Sequence, residues 1–394
     1  MKRLIIFPDV FIWTKGDRSL FYNSKSFKSH IYETSESVVK AVLNRLLDVD
    51  NLYEIDIHAE LNNSLAAEFV HSIVANGFGM MAEDQKSIIS LPPLLNIQTQ
   101  LKDRTKGQGE SALLEYFSEL TIHQGGGMSQ YSTYYKQTFY PISSDKMLSV
   151  RDLVEILTTY RTEYLEKINI ILSLIPEQKE LELLIESLDS HDVSAVFYVA
   201  DNNKKNILRL IASLRSSKLC DVFLIRVDSN EPDDFYLGME SCHYHFLIRS
   251  KYEYGKYCEE IKRYGLDNYS FVPIFDNNLD FFEKNIFLSE EDILSSALSK
   301  RNIFIHQSIN PNYFGSLTIF PDGQIYSNVN SSPIGSLHQR VEDLIDAEMR
   351  QNCGWRVLRT DKPCSECLYQ WLCPPPSNYE FVVEKSNLCL LHSN

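Results

Sequence analysis

The chain has 394 residues, 44% of them hydrophobic, which is enough for two or three domains with buried cores. Its 53 acidic against 38 basic residues give a net charge of −15 with no basic run, which excludes a nucleic-acid backbone as partner. The longest apolar run, Ile168 to Ile175, is broken by Asn169 and Ser173. It falls far short of the ~20 apolar residues of a membrane span, so no membrane partner is expected.

Met1 to Pro8 carries basic residues, but its apolar stretch stops too soon for a secretory signal, and a reducing, cytoplasmic location is expected. Residues 1–90 read as a unit of their own. Val10–Trp13, Leu20–Tyr22 and His30–Tyr32 are short aromatic and β-branched strand runs, with Lys15-Gly16-Asp17 as a hairpin turn between the first two. Thr34 and Ser35 are N-cap candidates for a helix carrying Val38, Val39, Val42, Leu43, Leu46 and Leu47. A second helix is expected from Asn63 or Ser64 to Asn76-Gly77, followed by an apolar turn over Phe78 to Met81.

This order is winged-helix-like, yet the second helix offers Glu68, His71 and Ser72 where a DNA-reading helix needs Lys or Arg. Strand addition is the alternative use: an extended peptide pairs with an exposed strand edge and is clamped by the following helix. The peptide-binding candidates are Ser29, His30, Ile31, Tyr32 and Glu33 on the strand, with Leu65, Glu68, Phe69, Ser72 and Ile73 on the helix.

A linker is expected over 91–111, from Leu91-Pro92-Pro93 into the polar stretch Lys102 to Glu110. From 112 to 300, strand candidates alternate with helical patterns. The strands are Leu120–Ile122, Ile168–Ile171, Ala195–Val199, Val222–Val227, His245–Ile248 and Phe271–Ile274; the helices include Val150–Ile168, Gln178–Leu188 and Lys205–Leu214. Repeated strand–helix units imply a parallel sheet, open or a partial barrel, with its chemistry at the C-terminal strand ends.

Residues 301–394 change character. Phe314 to Tyr326 is a hairpin pattern turning at Asp322-Gly323. Cys364, Cys367 and Cys373 follow as C-x2-C-x5-C, with Cys389 closing the set. Four such thiols suit a tetrahedral zinc or an iron–sulfur cluster, and the spacing leaves that choice open. Two disulfides of a secreted protein are the competing reading. Cys220, Cys242 and Cys258 stand alone and read as small buried hydrophobes.

Gly315 to Tyr326, Pro333-Ile334-Gly335 and Cys364 to Glu380 follow the order of a SPASM tail. On these residues the chain resembles a radical S-adenosylmethionine peptide maturase. It is similar also to the degenerate pseudo-radical-SAM proteins of Bacteroidetes-type peptide-modification systems. The resemblance implies an α/β protein in three parts: a winged-helix-like leader-recognition unit, a central partial (β/α)6 TIM-type barrel, and a C-terminal cysteine-rich SPASM domain.

The departures from that family define the expected function. Its three cluster cysteines fall here on Tyr131, Tyr135 and Thr138, with the trailing aromatic kept as Phe139. Phenol and hydroxyl groups do not replace thiolates at such clusters. Gly125-Gly126-Gly127 lies beside this loop, and the family's Gly-Gly-Glu-Pro turn is replaced by Ser173-Leu174-Ile175-Pro176. In the tail, Ser377 and Ser327-Asn328 stand where the first auxiliary cluster needs cysteines, and Cys353 lies outside the pattern. The resemblance therefore implies no S-adenosylmethionine and no catalytic residue. It implies one [4Fe–4S] cluster on Cys364, Cys367, Cys373 and Cys389, or alternatively one structural zinc. The expected role is a non-catalytic partner that binds the leader of a ribosomally made precursor and docks to an active radical SAM maturase. The alternative is an enzyme that reuses the barrel through groups such as His123, Tyr131, Tyr134, Tyr135 and Lys136.

Overall fold

The computed structural model describes residues 2–83, 92–93, 111–127, 131, 133–200, 204–214, 217, 219–227 and 242–391. Of the linker expected over 91–111, only Pro92, Pro93 and Ser111 are among them.

The chain begins with a strand that the sequence reading passed over. β1 (Arg3–Ile6) runs into β2 (Val10–Lys15), β3 (Arg18–Asn23) and β4 (Ser29–Glu33). Then come α1 (Ser37–Leu47), β5 (Glu54–Asp56), α2 (Ser64–Ala75) and β6 (Gly79–Ala82). Among the described residues these strands form two three-stranded antiparallel sheets, β5-β1-β6 and β2-β3-β4. β1 is the central strand of its sheet, and β6 replaces the apolar turn expected over Phe78 to Met81. The hairpin turn falls on Gly16, whose φ of 59° suits a residue without a Cβ. The start of α1 differs from expectation: Glu36 is its N-cap, and the Thr34 hydroxyl accepts from Glu36 N at 3.1 Å in a turn just before the helix. α2 begins as its sequence suggests, with the Asn63 side chain accepting from Leu65 N and Ala66 N. Leu4, Ile6, Phe21, Val42, Leu46, Val70 and Ile73 fill the core between sheets and helices.

After α3 (Ser111–Leu114) the chain alternates between sheet and helix. β7 (Glu119–His123), α4 (Val150–Thr159), β8 (Lys167–Leu172), α5 (Gln178–His191), β9 (Ser194–Val199) and α6 (Lys204–Leu214) lead to β10 (Cys220–Val227). β11 (Cys242–Ile248), α7 (Lys251–Tyr264) and β12 (Tyr269–Pro273) complete the parallel run. β7 to β12 lie side by side in chain order, every pair parallel. The helix expected over Val150–Ile168 stops at Thr159, because Ile168, Ile170 and Ile171 belong to buried β8. A continuous apolar run reads alike for a buried strand and a helix, so periodicity alone does not separate them.

The register explains the two faces of this sheet. Ile319, Ile122, Ile170, Phe197, Val222 and Cys242 form one buried row across neighbouring strands toward the helices. One residue earlier, Thr318, Thr121, Asn169 and Val196 form the adjoining row on the opposite face. Alternation along each strand thus gives an apolar outer face and a partly polar inner one.

α8 (Leu279–Asn285), α9 (Glu290–Ser295) and α10 (Lys300–Ser308) precede the tail hairpin, β13 (Ser316–Ile319) and β14 (Gln324–Tyr326). β15 (Gly335–Ser336), α11 (Val341–Gln351) and α12 (Asn378–Val383) follow. β13 pairs parallel with β7, so the hairpin and β15 extend the parallel sheet to nine strands among the described residues. Glu348 on α11 is fully buried, and its carboxylate accepts from Ser327 Oγ at 2.6 Å, Cys353 N at 3.1 Å, Gly354 N at 3.0 Å and Trp355 N at 2.8 Å. One side chain thereby fixes the hairpin end, the loop and the fully buried Trp355.

The tail also reaches the N-terminal unit. Phe11, Leu20 and Tyr22 pack with Ile293, Ile303, Cys367, Leu368 and Leu372. The Tyr22 hydroxyl accepts from Leu298 N at 2.8 Å and donates to Leu298 O at 3.0 Å, while Lys300 Nζ reaches Asp9 Oδ1 at 2.9 Å.

Glu348→Ala strips the partners from three backbone amides and a hydroxyl, each worth about 1–3 kcal/mol when buried, so it lowers stability by about 3 kcal/mol or more. The shift in the urea unfolding midpoint at constant slope measures this.

Candidate functional site

The tail thiols are gathered by short local turns and one distant clamp. Cys364 opens a 3-10 turn whose next amide, Cys367 N, donates to Cys364 O at 3.0 Å, and Cys373 N donates to Tyr369 O at 3.1 Å. Cys389 is brought back by a parallel bridge to Leu288, with Leu288 N to Leu388 O and Leu390 N to Leu288 O both at 3.0 Å. All four cysteines line one cavity of about 20 Å³, and none of the chain's eight cysteines is in a disulfide. Among the described residues no three His, Cys, Asp or Glu side chains meet the geometry of a bound ion.

Burial raises the Cys364 and Cys367 thiols and pushes Cys373 up to about 12, and each is raised further by its neighbouring thiols. The Arg359 guanidinium opposes this at Cys364 and Cys373. Arg359 is itself buried and donates to Glu380 Oε1 at 2.5 Å and to Pro374 O at 2.5 Å. Asn387 Nδ2 donates to Cys389 Sγ at 3.1 Å. Thiols beside a guanidinium and an amide donor fit a group that binds them as thiolates. Sequence reasoning missed Arg359, Glu380 and Asn387, because no spacing marks such supporting residues. Ser377 caps α12 in a reciprocal pair with Glu380, donating to Oε2 at 2.7 Å.

At the C-terminal ends of the parallel strands, aromatic rings pack together. Tyr131 stacks on Tyr134 at 4.8 Å, Tyr135 meets Phe320 at 5.4 Å, and Phe139 meets Tyr198 at 4.5 Å. Tyr134 donates to Asp276 Oδ2 at 3.3 Å, and burial is the main cause raising its phenol to about 12. Burial also raises Tyr135, and it pushes His123 down to about 3. These shifts lead away from neutral pH, opposite to what general acid–base work needs.

The glycine run is sterically required. A Cβ on Gly125 would meet Pro321 Cγ at 2.3 Å, and one on Gly126 would meet Met147 Cβ at 2.6 Å. The neighbouring turn is closed by protein as well: Gln124 Oε1 accepts from Ser173 N at 3.1 Å and Leu174 N at 3.0 Å. Tyr135, Thr138 and Phe139 line a chamber of about 260 Å³ between β7 and the tail hairpin, together with Thr121, His123, Thr318 and Asn328.

The peptide-binding candidates fall on one side of the N-terminal unit. Among the described residues β4 pairs only with β3, so its outer edge is open. His30 and Glu33 are exposed on β4, as are Leu65 and Glu68 on α2. Ser29, Ile31 and Ser72 are half-buried. Tyr32 and Phe69 are buried with ring centroids 5.0 Å apart, and Asn76 Nδ2 donates to the Tyr32 hydroxyl at 3.2 Å, fastening strand to helix. Ile73 is fully buried, so it supports this surface from the core and does not line it, contrary to the sequence expectation.

No family model matches the chain, and no curated protein matches it. Among solved structures it is similar to SuiB of Streptococcus suis, with 11% identity and a TM-score of 0.44 over 98% of this chain and 100% of that one. SuiB bound to precursor peptide SuiA gives 12% identity and a TM-score of 0.42 over 98% of both chains. BtrN in complex with AdoMet and 2-DOIA gives 8% identity and a TM-score of 0.33 over 65% of this chain and 92% of that one. Scores at this level leave the fold to be argued from the chain itself. Among the described residues no helix is long and apolar enough to cross a membrane.

A histidine held neutral by burial destabilises the fold as the unfolded chain takes up its proton. His123 has a depressed folded pKa of about 3 against 6.5, so its contribution is intact above about pH 6.5 and is lost as pH falls toward 3. His123→Gln flattens the acid slope of stability by about 1.4 kcal/mol per pH unit between roughly pH 5.5 and 4. Urea unfolding at a series of pH values reads this.

Proposed function

We propose that the chain is a non-catalytic partner of a radical SAM maturase, binding the leader of a ribosomally made precursor peptide and docking to the enzyme that modifies it. The observation that carries this reading is the open outer edge of β4 beside the exposed face of α2. An incoming extended segment continues the β2-β3-β4 sheet by main-chain hydrogen bonds, and Leu65 and Glu68 supply side-chain selectivity. The aromatic packing at the C-terminal strand ends supports a role without S-adenosylmethionine cleavage. Tyr131, Tyr135 and Thr138 offer no thiolate, and the amides of the Ser173–Leu174 turn are already taken by Gln124.

In this reading residues 1–90 recognise the leader, 112–300 form a degenerate radical-SAM-like barrel, and 301–394 form a SPASM-like tail. Cys364, Cys367, Cys373 and Cys389 hold one [4Fe–4S] cluster. The four thiols line one cavity, and four thiolates suit either an iron–sulfur cluster or a tetrahedral zinc. When bound, the cluster would cross-link the tail and could pass single electrons. Arg359 and Asn387 orient and hydrogen-bond the thiolates.

Protein purified without oxygen should contain about four iron and four sulfide per chain, and Cys364→Ala should lose them. One zinc without sulfide would replace the cluster by a structural ion.

The leader of the accompanying precursor should bind with a micromolar Kd, roughly −8 kcal/mol. Ile31→Pro, which removes an N–H that faces the open edge, and Leu65→Asp should each weaken it about tenfold or more while iron content stays unchanged. Titration with labelled leader decides the matter, and undiminished affinity in both variants would remove the β4–α2 assignment. Point variants are preferable to truncation, because deleting the N-terminal unit bares the tail surface packed under Phe11, Leu20 and Tyr22.

A further inference from the structure

The chamber of about 260 Å³ between β7 and the tail hairpin carries buried polar groups that neither the thiols nor the strand edge use. His123 is 2% exposed, and its Nδ1 has no hydrogen-bond partner. Asn328, also 2% exposed, accepts from Asn330 N at 2.9 Å through Oδ1, but its Nδ2 donates to nothing. Both side chains line the chamber. Native interiors rarely leave such groups unpaired, since each forfeits the hydrogen bonds it makes in water. Two orphans facing one cavity from different parts of the chain point to an absent partner.

The walls restrict what that partner is. The chamber has no lysine or arginine in its lining, and its single carboxylate, Glu119, is engaged by Lys167 Nζ at 3.2 Å and by Asn169. An anion would find no counter-charge there. Thr121, Thr138 and Thr318 add hydroxyls, and Phe139 and Tyr313 add flat apolar surface. The volume lies below the ~300–1,000 Å³ of drug-sized pockets, which favours a group of side-chain size.

We propose that this chamber binds an uncharged carboxamide- or hydroxyl-bearing group. Its oxygen accepts from Asn328 Nδ2, and its polar hydrogen or lone pair meets His123 Nδ1 according to the imidazole tautomer. The group comes from a residue of a bound peptide or from a free small amide or alcohol, since both present the same chemistry. The inference stands independently of the thiol site and of the β4 edge.

Ligand-observed NMR on the full chain tests it with N-acetyl methylamides of glutamine, serine, glutamate, lysine and leucine, and with acetamide. The glutamine and serine probes should bind, and the charged and leucine probes should bind about tenfold more weakly or not at all. A glutamine probe much tighter than acetamide assigns the group to a peptide; equal binding assigns it to a free small molecule. Asn328→Leu should weaken the glutamine probe about tenfold, because it removes the Nδ2 donor. Thr318→Met, which fills the space, should weaken the probe equally, and it carries the test if Asn328→Leu does not fold. Equal binding of the leucine or glutamate probe overturns the proposal. So does unchanged binding in the variants, or no binding of either polar probe at its highest soluble concentration.

Discussion

The contact on which the arrangement depends is the packing of the tail turn around Cys367 and Leu368 against the hairpin residues Phe11, Leu20 and Tyr22. These segments are separated by most of the chain, yet they share one apolar cluster, sealed by the paired hydrogen bonds of Tyr22 with Leu298 and by Lys15 Nζ on Ser365 O at 2.7 Å. Cys367 is thus at once a wall of the thiol cavity and part of the surface that seats the N-terminal unit. A group held by these thiols would therefore touch the same residue that helps seat the N-terminal unit. A chain that binds a peptide by strand addition benefits from firm seating, because a rigid edge limits the ordering cost of association.

The tail is organised by two buried carboxylates. Glu348 collects four donors at the end of the hairpin, and Glu380 couples the α12 cap to Arg359. Ser327 bonds Glu348 and Ser377 bonds Glu380. The two serines that stand where the family resemblance places cysteines are therefore integrated into the tail's own hydrogen bonding. A cysteine at either position would meet an acceptor suited to a hydroxyl.

How much of this was legible in the sequence varies with the kind of signal. The six parallel strands from β7 to β12 announced themselves through β-branched runs, and the hairpin through Asp322-Gly323. β1 was missed because four residues before Pro8 give too short a pattern, and only pairing with β5 and β6 makes them a central strand. The end of α4 was missed because Ile168, Ile170 and Ile171 fit either period. The gathering of four cysteines could be read from spacing, but not the Leu288 bridge that returns Cys389. The chamber had a faint signal: Thr121 and Asn169 interrupt apolar strands at alternate positions, which marks a polar inner face.

The inner face of the sheet also bears on what chemistry it can support. A reused active site needs at least one group poised near neutral pH, whereas burial here pushes the phenols of Tyr134 and Tyr135 up and the imidazoles of His123 and His245 down, the latter to about 4. Each group is thereby locked in its neutral form across the working range. Neutral donors and acceptors in a chamber lined by no lysine or arginine are well suited to holding an uncharged partner and poorly suited to moving protons. The same desolvation disfavours a charged ligand, which would lose its hydration without finding a counter-ion.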